Sequence, residues 1–81
     1  MFAKLFEISE TGQVLIMLDH DKETQKPKVS VFTELPGLGV CNIAYSFPDT
    51  DEGWDTAEEF LDSFDRVKAL EYANIILNLL T

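Results

Sequence analysis

Apolar and polar side chains alternate with a period near two through the first half of the chain and with a period near 3.6 through the second. Residues 2–8 mix aromatic and aliphatic side chains without a helical stripe, and Glu10, Thr11 and Gly12 supply turn chemistry, which predicts strand, tight turn, strand. Residues 13–19 place Val14, Ile16 and Leu18 on one face and Leu15 and Met17 on the other. Apolar residues on both faces predict a central strand. Residues 20–27 are polar and predict a loop. Val29, Val31, Thr33 and Leu35 then alternate with Lys28, Ser30, Phe32 and Glu34, and the β-branched content predicts a third strand. Pro36, Gly37, Leu38 and Gly39 reverse the chain. A fourth strand over 40–47 puts Cys41, Ile43, Tyr45 and Phe47 on one face.

After Pro48 the pattern changes. Thr56, Ala57, Glu58 and Glu59 have the spacing of a capping box, which predicts a helix beginning at Ala57. Ala57, Phe60, Leu61, Phe64 and Val67 form its apolar stripe, with Glu58, Asp62 and Asp65 opposite. Beyond Val67 the apolar residues Leu70, Tyr72, Ala73, Ile75, Ile76, Leu77, Leu79 and Leu80 surround most of the axis. One helix from Ala57 to Leu80 is expected, in preference to a break near Arg66 followed by a second helix. Four strands with short links and a C-terminal helix predict an α+β fold: a four-stranded antiparallel meander with the helix packed on one face. At 81 residues there is room for a single α+β domain, 1–81, with a small core. The layout is similar to that of many small proteins encoded by phages and other mobile elements, which implies a prokaryotic setting.

Fifteen acidic residues against six basic ones give a net charge of −9, which repels phosphate backbones. Direct binding to nucleic acid or an anionic membrane is disfavoured, and a basic protein partner is favoured. The longest apolar run is the five residues from Val14 to Leu18, far below the roughly 20 of a membrane helix. Lys4 and Glu7 interrupt any signal-peptide core, and the single cysteine, Cys41, suits a reducing cytoplasm.

Candidate chemistry is sparse. His20 lies between Asp19 and Asp21, but one histidine and one cysteine leave a metal site short of ligands, and a Cys41 nucleophile would need His20 beside it. The segment 49–55 resembles a calcium loop only in part. Counted from Asp49, its glycine is fifth rather than sixth and Phe60 stands where the terminal glutamate belongs. Neither a metal nor a cofactor is expected, and no catalytic residue.

Residues 49–65 hold eight acids and no base. The like charges of Glu58, Asp62 and Asp65 stack at three- and four-residue spacing, each pair unfavourable by a few tenths of a kcal/mol, so local stability does not explain them. The partner-binding surface is therefore expected at Asp49, Asp51, Glu52, Trp54, Asp55, Glu58, Glu59, Asp62 and Asp65, with Trp54 as an aromatic anchor. The expected function is that of a small non-enzymatic interaction protein docking on a protein partner. The alternative is an acidic DNA mimic that inhibits a nucleic-acid-binding protein. Helical rise spaces its carboxylates about 4.5–6 Å apart, sparser than phosphates at about 3.4 Å. A homodimer is also expected, through Ile76, Leu77 and Leu80 at the helix end, and two-fold pairing would cover Leu15, Met17 and Phe32 if their face lies outside the helix.

Overall fold

A computed structural model describes residues 2–8, 12–37 and 39–80, without the side chain of Leu80. The turn expected at Glu10 and Thr11 lies outside the described residues. Strands β1 (Phe2–Glu7), β2 (Gln13–His20), β3 (Pro27–Leu35) and β4 (Gly39–Ser46) form one antiparallel sheet in the order β1-β2-β3-β4. Two helices follow, α1 (Asp51–Ser63) and α2 (Arg66–Leu80), and pack on one face of it. The α+β meander read from the alternation is the fold.

Alternation decides which face is covered. Val14, Ile16 and Leu18 of β2 and Val29 and Val31 of β3 point under the helices and are almost wholly buried, joined by Ala57, Leu61, Phe64 and Ala69. A second small cluster unites Leu35 with Ala73 and Ile76 of α2. The opposite set, Leu15, Met17 and Phe32, lies on the face without helices and is half-buried.

The links are built from local hydrogen bonding. Between β2 and β3 the Asp21 carboxylate accepts the amides of Glu23 (2.8 Å) and Thr24 (3.2 Å), and Gln25 takes a left-handed φ of 62° that closes the loop. Those two amides hold the Asp21 carboxyl below its usual range. Between β3 and β4 the positive φ of Gly37 and Gly39 makes the reversal.

The helical half corrects two expectations. The helix begins six residues before Ala57, at Asp51: Thr50 is the N-cap, its hydroxyl accepting the Gly53 amide at 3.0 Å. Thr56 does not cap. It sits inside the helix and donates to the Glu52 carbonyl at 2.8 Å. Nor does one helix run to Leu80. Phe64 is extended (φ −74°, ψ 118°) and 3% exposed, so the chain turns where that ring enters the core. Asp65 then caps α2, accepting the Lys68 amide at 3.0 Å. Two adjacent signals, a buried aromatic and an N-capping aspartate, outweigh the continuity of helix-forming residues.

The break does not bury the apolar end of the chain. α2 meets the sheet through the small residues Ala69 and Ala73 and through Ile76, while Val67, Leu70, Ile75 and Leu79 stay exposed. Of the residues expected at a helix-end dimer contact, Ile76 is 5% exposed and packs on Leu35, so its side chain belongs to the core. Leu77 lies at the surface. The side chain of Leu80 is outside the described residues.

Candidate protein-binding face

The outward side of α1 follows from what its inward side must do. Gly53, Ala57 and Leu61 recur at four-residue spacing and face the sheet, with Trp54 and Phe60 half-buried beside them. Gly53 is required there, because a Cβ at that position would overlap the Pro48 carbonyl. The acidic positions, Asp51, Glu52, Asp55, Glu58, Glu59 and Asp62, are all exposed, as are Thr56 and Ser63. The acidic side chains form a carboxylate stripe along the helix. Asp51 and Glu52 lie in the first turn, where the helix dipole favours negative charge by about 0.3–1 kcal/mol each. The dipole offers no such support to Glu58, Glu59 and Asp62.

Among the described residues no cationic side chain pairs with the stripe. Among the described residues the ion pairs are His20 with Asp19 (3.4 Å) and Lys68 with Glu71 (3.9 Å), both away from α1. Lys4 reaches α1 but spends its donors on the backbone: Nζ donates to the carbonyls of Leu61 (2.9 Å) and Asp62 (3.1 Å), the orphan acceptors of the helix C-terminus. Arg66 likewise donates from Nη1 to the Glu7 carbonyl at 2.7 Å. The two basic residues nearest the acidic helix therefore tie β1 to the helical layer. Lysines Lys22, Lys26 and Lys28 lie in and beside the β2–β3 loop, at the end of the sheet where β4 leads into α1, and make no ion pair with it among the described residues.

Three expected site residues take structural roles. Asp65 is occupied as the α2 cap. Trp54 is half-buried against the core and donates from its indole Nε1 to Asp49 at 3.2 Å, so both residues brace the helix start. A hollow of about 380 Å³ between β1 and α1 adjoins the stripe. Phe2, Leu18 and Leu61 give it apolar walls, and Glu58 and Asp62 stand at its rim. The sequence could not show this juxtaposition, since it joins residues some 57 positions apart across the Lys4 contact.

The other side chains weighed for chemistry are kept apart. Cys41 pairs with Thr33 at one end of the sheet and His20 with Pro27 at the other, about six residues or 20 Å along β3. The calcium-like segment is helical from Asp51 onward, with Asp51, Glu52 and Asp55 exposed and Asp49 accepting from the Trp54 indole. A second hollow of about 370 Å³ lies between β4 and the helices, lined by Tyr45, Phe60, Phe64 and Tyr72. The hydroxyls of Tyr45 and Tyr72 meet there at 2.8 Å. Partial burial, then the Tyr45 hydroxyl, pushes the Tyr72 phenol well above its ordinary range.

Neither family models, nor characterised proteins, nor solved structures match this chain. No helix among the described residues is long and apolar enough to cross a membrane.

Proposed function

We propose that the chain is a small non-enzymatic binding protein that docks on a basic protein partner through the outward face of α1 and the hollow beside β1. The observation that carries this reading is the stripe of Asp51, Glu52, Asp55, Glu58, Glu59 and Asp62, exposed and without an ion pair among the described residues, on a helix clamped to its sheet. A folded protein gains little from such a row, since like charges at i,i+3 and i,i+4 disfavour the helix. Unneutralised carboxylates on a rigid support do favour encounter with a positive surface, and they raise its rate. Phe2, Leu18 and Leu61 add an apolar seat beside the charge, suited to a partner segment that carries both lysine or arginine and a hydrophobic side chain.

A DNA-mimic version of this reading uses the same helix, with a nucleic-acid-binding protein as the partner. The test is retention of basic proteins on the immobilised chain at low and high salt, beside a variant carrying Asp55→Asn, Glu58→Gln and Asp62→Asn. The reading expects salt-sensitive retention by the native chain and loss of it in the variant. Release of the retained protein by added duplex DNA marks the mimic. Equal retention by both chains contradicts docking through α1.

A further inference from the structure

The face of the sheet that carries no helix is a second binding surface, and we infer that its occupant is a second copy of the chain. The strand register lays this face out in rows across the four strands. Leu5, Leu15, Phe32 and Asn42 make one row, and Ala3, Met17, Ser30 and Ala44 make the next. Beyond the first lie Glu7, Gln13, Glu34 and Val40. Beyond the second lie Asp19, Lys28 and Ser46. The middle of the face is apolar, with Leu5 57% exposed and Leu15, Met17 and Phe32 half-buried. An uncovered sheet face of this composition is where a partner is expected.

Three features select a second copy. The first is shape. A two-fold axis running across the strands, between the two middle rows, sets a larger side chain over a smaller one on three of the four strands. Phe32 then meets Ser30 of the second copy, Leu5 meets Ala3 and Asn42 meets Ala44, while Leu15 and Met17 pack at the centre. An axis along the strands instead stacks Leu15 on Phe32 and Leu5 on Asn42, leaves Ala3 over Ala44, and keeps Met17 over Ser30 as its one large-on-small contact.

The second feature is charge. The crosswise axis sets Glu34 of each copy over Lys28 of the other, and the uncharged Gln13 over Asp19. A hollow of about 560 Å³ lies beside Lys28, floored by Met17, Ser30 and Phe32, with Asp19, Asp21 and Glu23 as well as Lys22 and Lys28 on its walls. The α1 stripes end up on the two outer sides of a four-layer sandwich. Both sheets then lie between them, well beyond the Debye length of about 8 Å at physiological salt, so the net charge does not oppose pairing strongly.

The third feature is area. Four strands about 4.8 Å apart and four rows about 6.7 Å apart give a face near 20 by 20 Å, which with side-chain relief buries roughly 1,000–1,200 Å² over both copies. That is the lower edge of what specific interfaces use, enough for a dimer populated at tens of micromolar. Sheet-on-sheet packing at about 10 Å is an ordinary solution for two such faces.

Sedimentation equilibrium on the full chain tests the inference. The native chain is expected at twice its 9.2 kDa mass at tens of micromolar. Phe32→Asp and, on the most exposed apolar position of the face, Leu5→Lys should each give a folded monomer by circular dichroism. Leu77→Asp at the helix end should leave the dimer intact. Glu34→Lys and Lys28→Glu should each weaken pairing by about threefold or more, and the two together should restore it. A native chain that stays monomeric at hundreds of micromolar overturns the inference. So does a dimer that survives both face substitutions in the folded state, or that falls to Leu77→Asp instead. Additive weakening in the charge-swapped double variant overturns the crosswise axis.

Discussion

The two faces of this sheet are made by the same strands and differ in almost everything else. On the helix side, Val14, Ile16, Leu18, Val29 and Val31 are sealed beneath α1 and α2. One residue along each strand, Leu15, Met17 and Phe32 stand half-open to solvent. Both sets are apolar, so hydrophobicity alone does not decide what is buried. The helices decide it, and they are held to one side by specific contacts: the Phe64 ring in the core, Lys4 on the carbonyls ending α1 and Arg66 on the carbonyl of Glu7. One face holds the fold together, and the other is left available.

The difference is sharpest for neighbours on β2. Ile16→Ala should destabilise the chain by about 2–5 kcal/mol, because it removes buried methyl groups and leaves a cavity. Leu15→Ala, one residue earlier, should change monomer stability by about 1 kcal/mol or less, since its site already touches water. Urea unfolding of the two variants at a concentration where the chain is monomeric makes the comparison. Similar losses at both positions would mean that the open face is covered.

A smaller effect probes how the helices are seated. Gly53→Ala should destabilise by about 1–3 kcal/mol despite the better helix propensity of alanine, because the new methyl group overlaps the Pro48 carbonyl. Lys4→Met keeps the apolar stem and removes the ammonium from the end of α1. It should cost about 1–2 kcal/mol, whereas Lys68→Met, whose partner is an exposed glutamate, should lie within about 0.5 kcal/mol of the native chain.

The smallest effect is a pH dependence on the helix side. Tyr72 has a raised pKa in the folded chain, so folding keeps its phenol protonated. That contribution is complete below the ordinary tyrosine value of 10.0 and is lost as pH rises from there through the folded pKa, because the unfolded chain releases its proton first. Alkaline unfolding followed by circular dichroism should therefore show a decline above that value. Tyr72→Phe should flatten it, and an unchanged alkaline limb would show that the phenol is solvated.

How much of this was legible in the sequence depends on the range of the interaction. The strands were legible because alternation and the turn residues act over a few positions, and both faces of β2 announced themselves as apolar. The start of α1 differs from the expectation because Thr56 to Glu59 has the full capping-box spacing, whereas Thr50 to Gly53 has glycine in place of the glutamate and caps through the Thr50 hydroxyl alone, with Gly53 packed on Pro48. The change of apolar pattern after Val67 left a break near Arg66 as the less favoured alternative, since a buried ring followed by Asp65 reads as one more turn of helix. The acidic stripe was visible as composition. That Asp65 serves as a cap, that Trp54 braces the helix start with Asp49, and that Lys4 and Arg66 leave the carboxylates unneutralised all depend on contacts across the fold.

If the exposed carboxylates of α1 serve a partner rather than the fold, removing their charge should separate binding from stability. Asp55→Asn, Glu58→Gln and Asp62→Asn combined should leave the thermal midpoint unchanged or raise it slightly, as relief of like-charge pairs adds a few tenths of a kcal/mol each. The direct measurement is the amount of basic protein retained at low salt by this variant relative to the native chain, both confirmed folded. Loss of retention in a chain of undiminished stability is the expected result. Full retention, or retention lost only together with the fold, would contradict docking through α1.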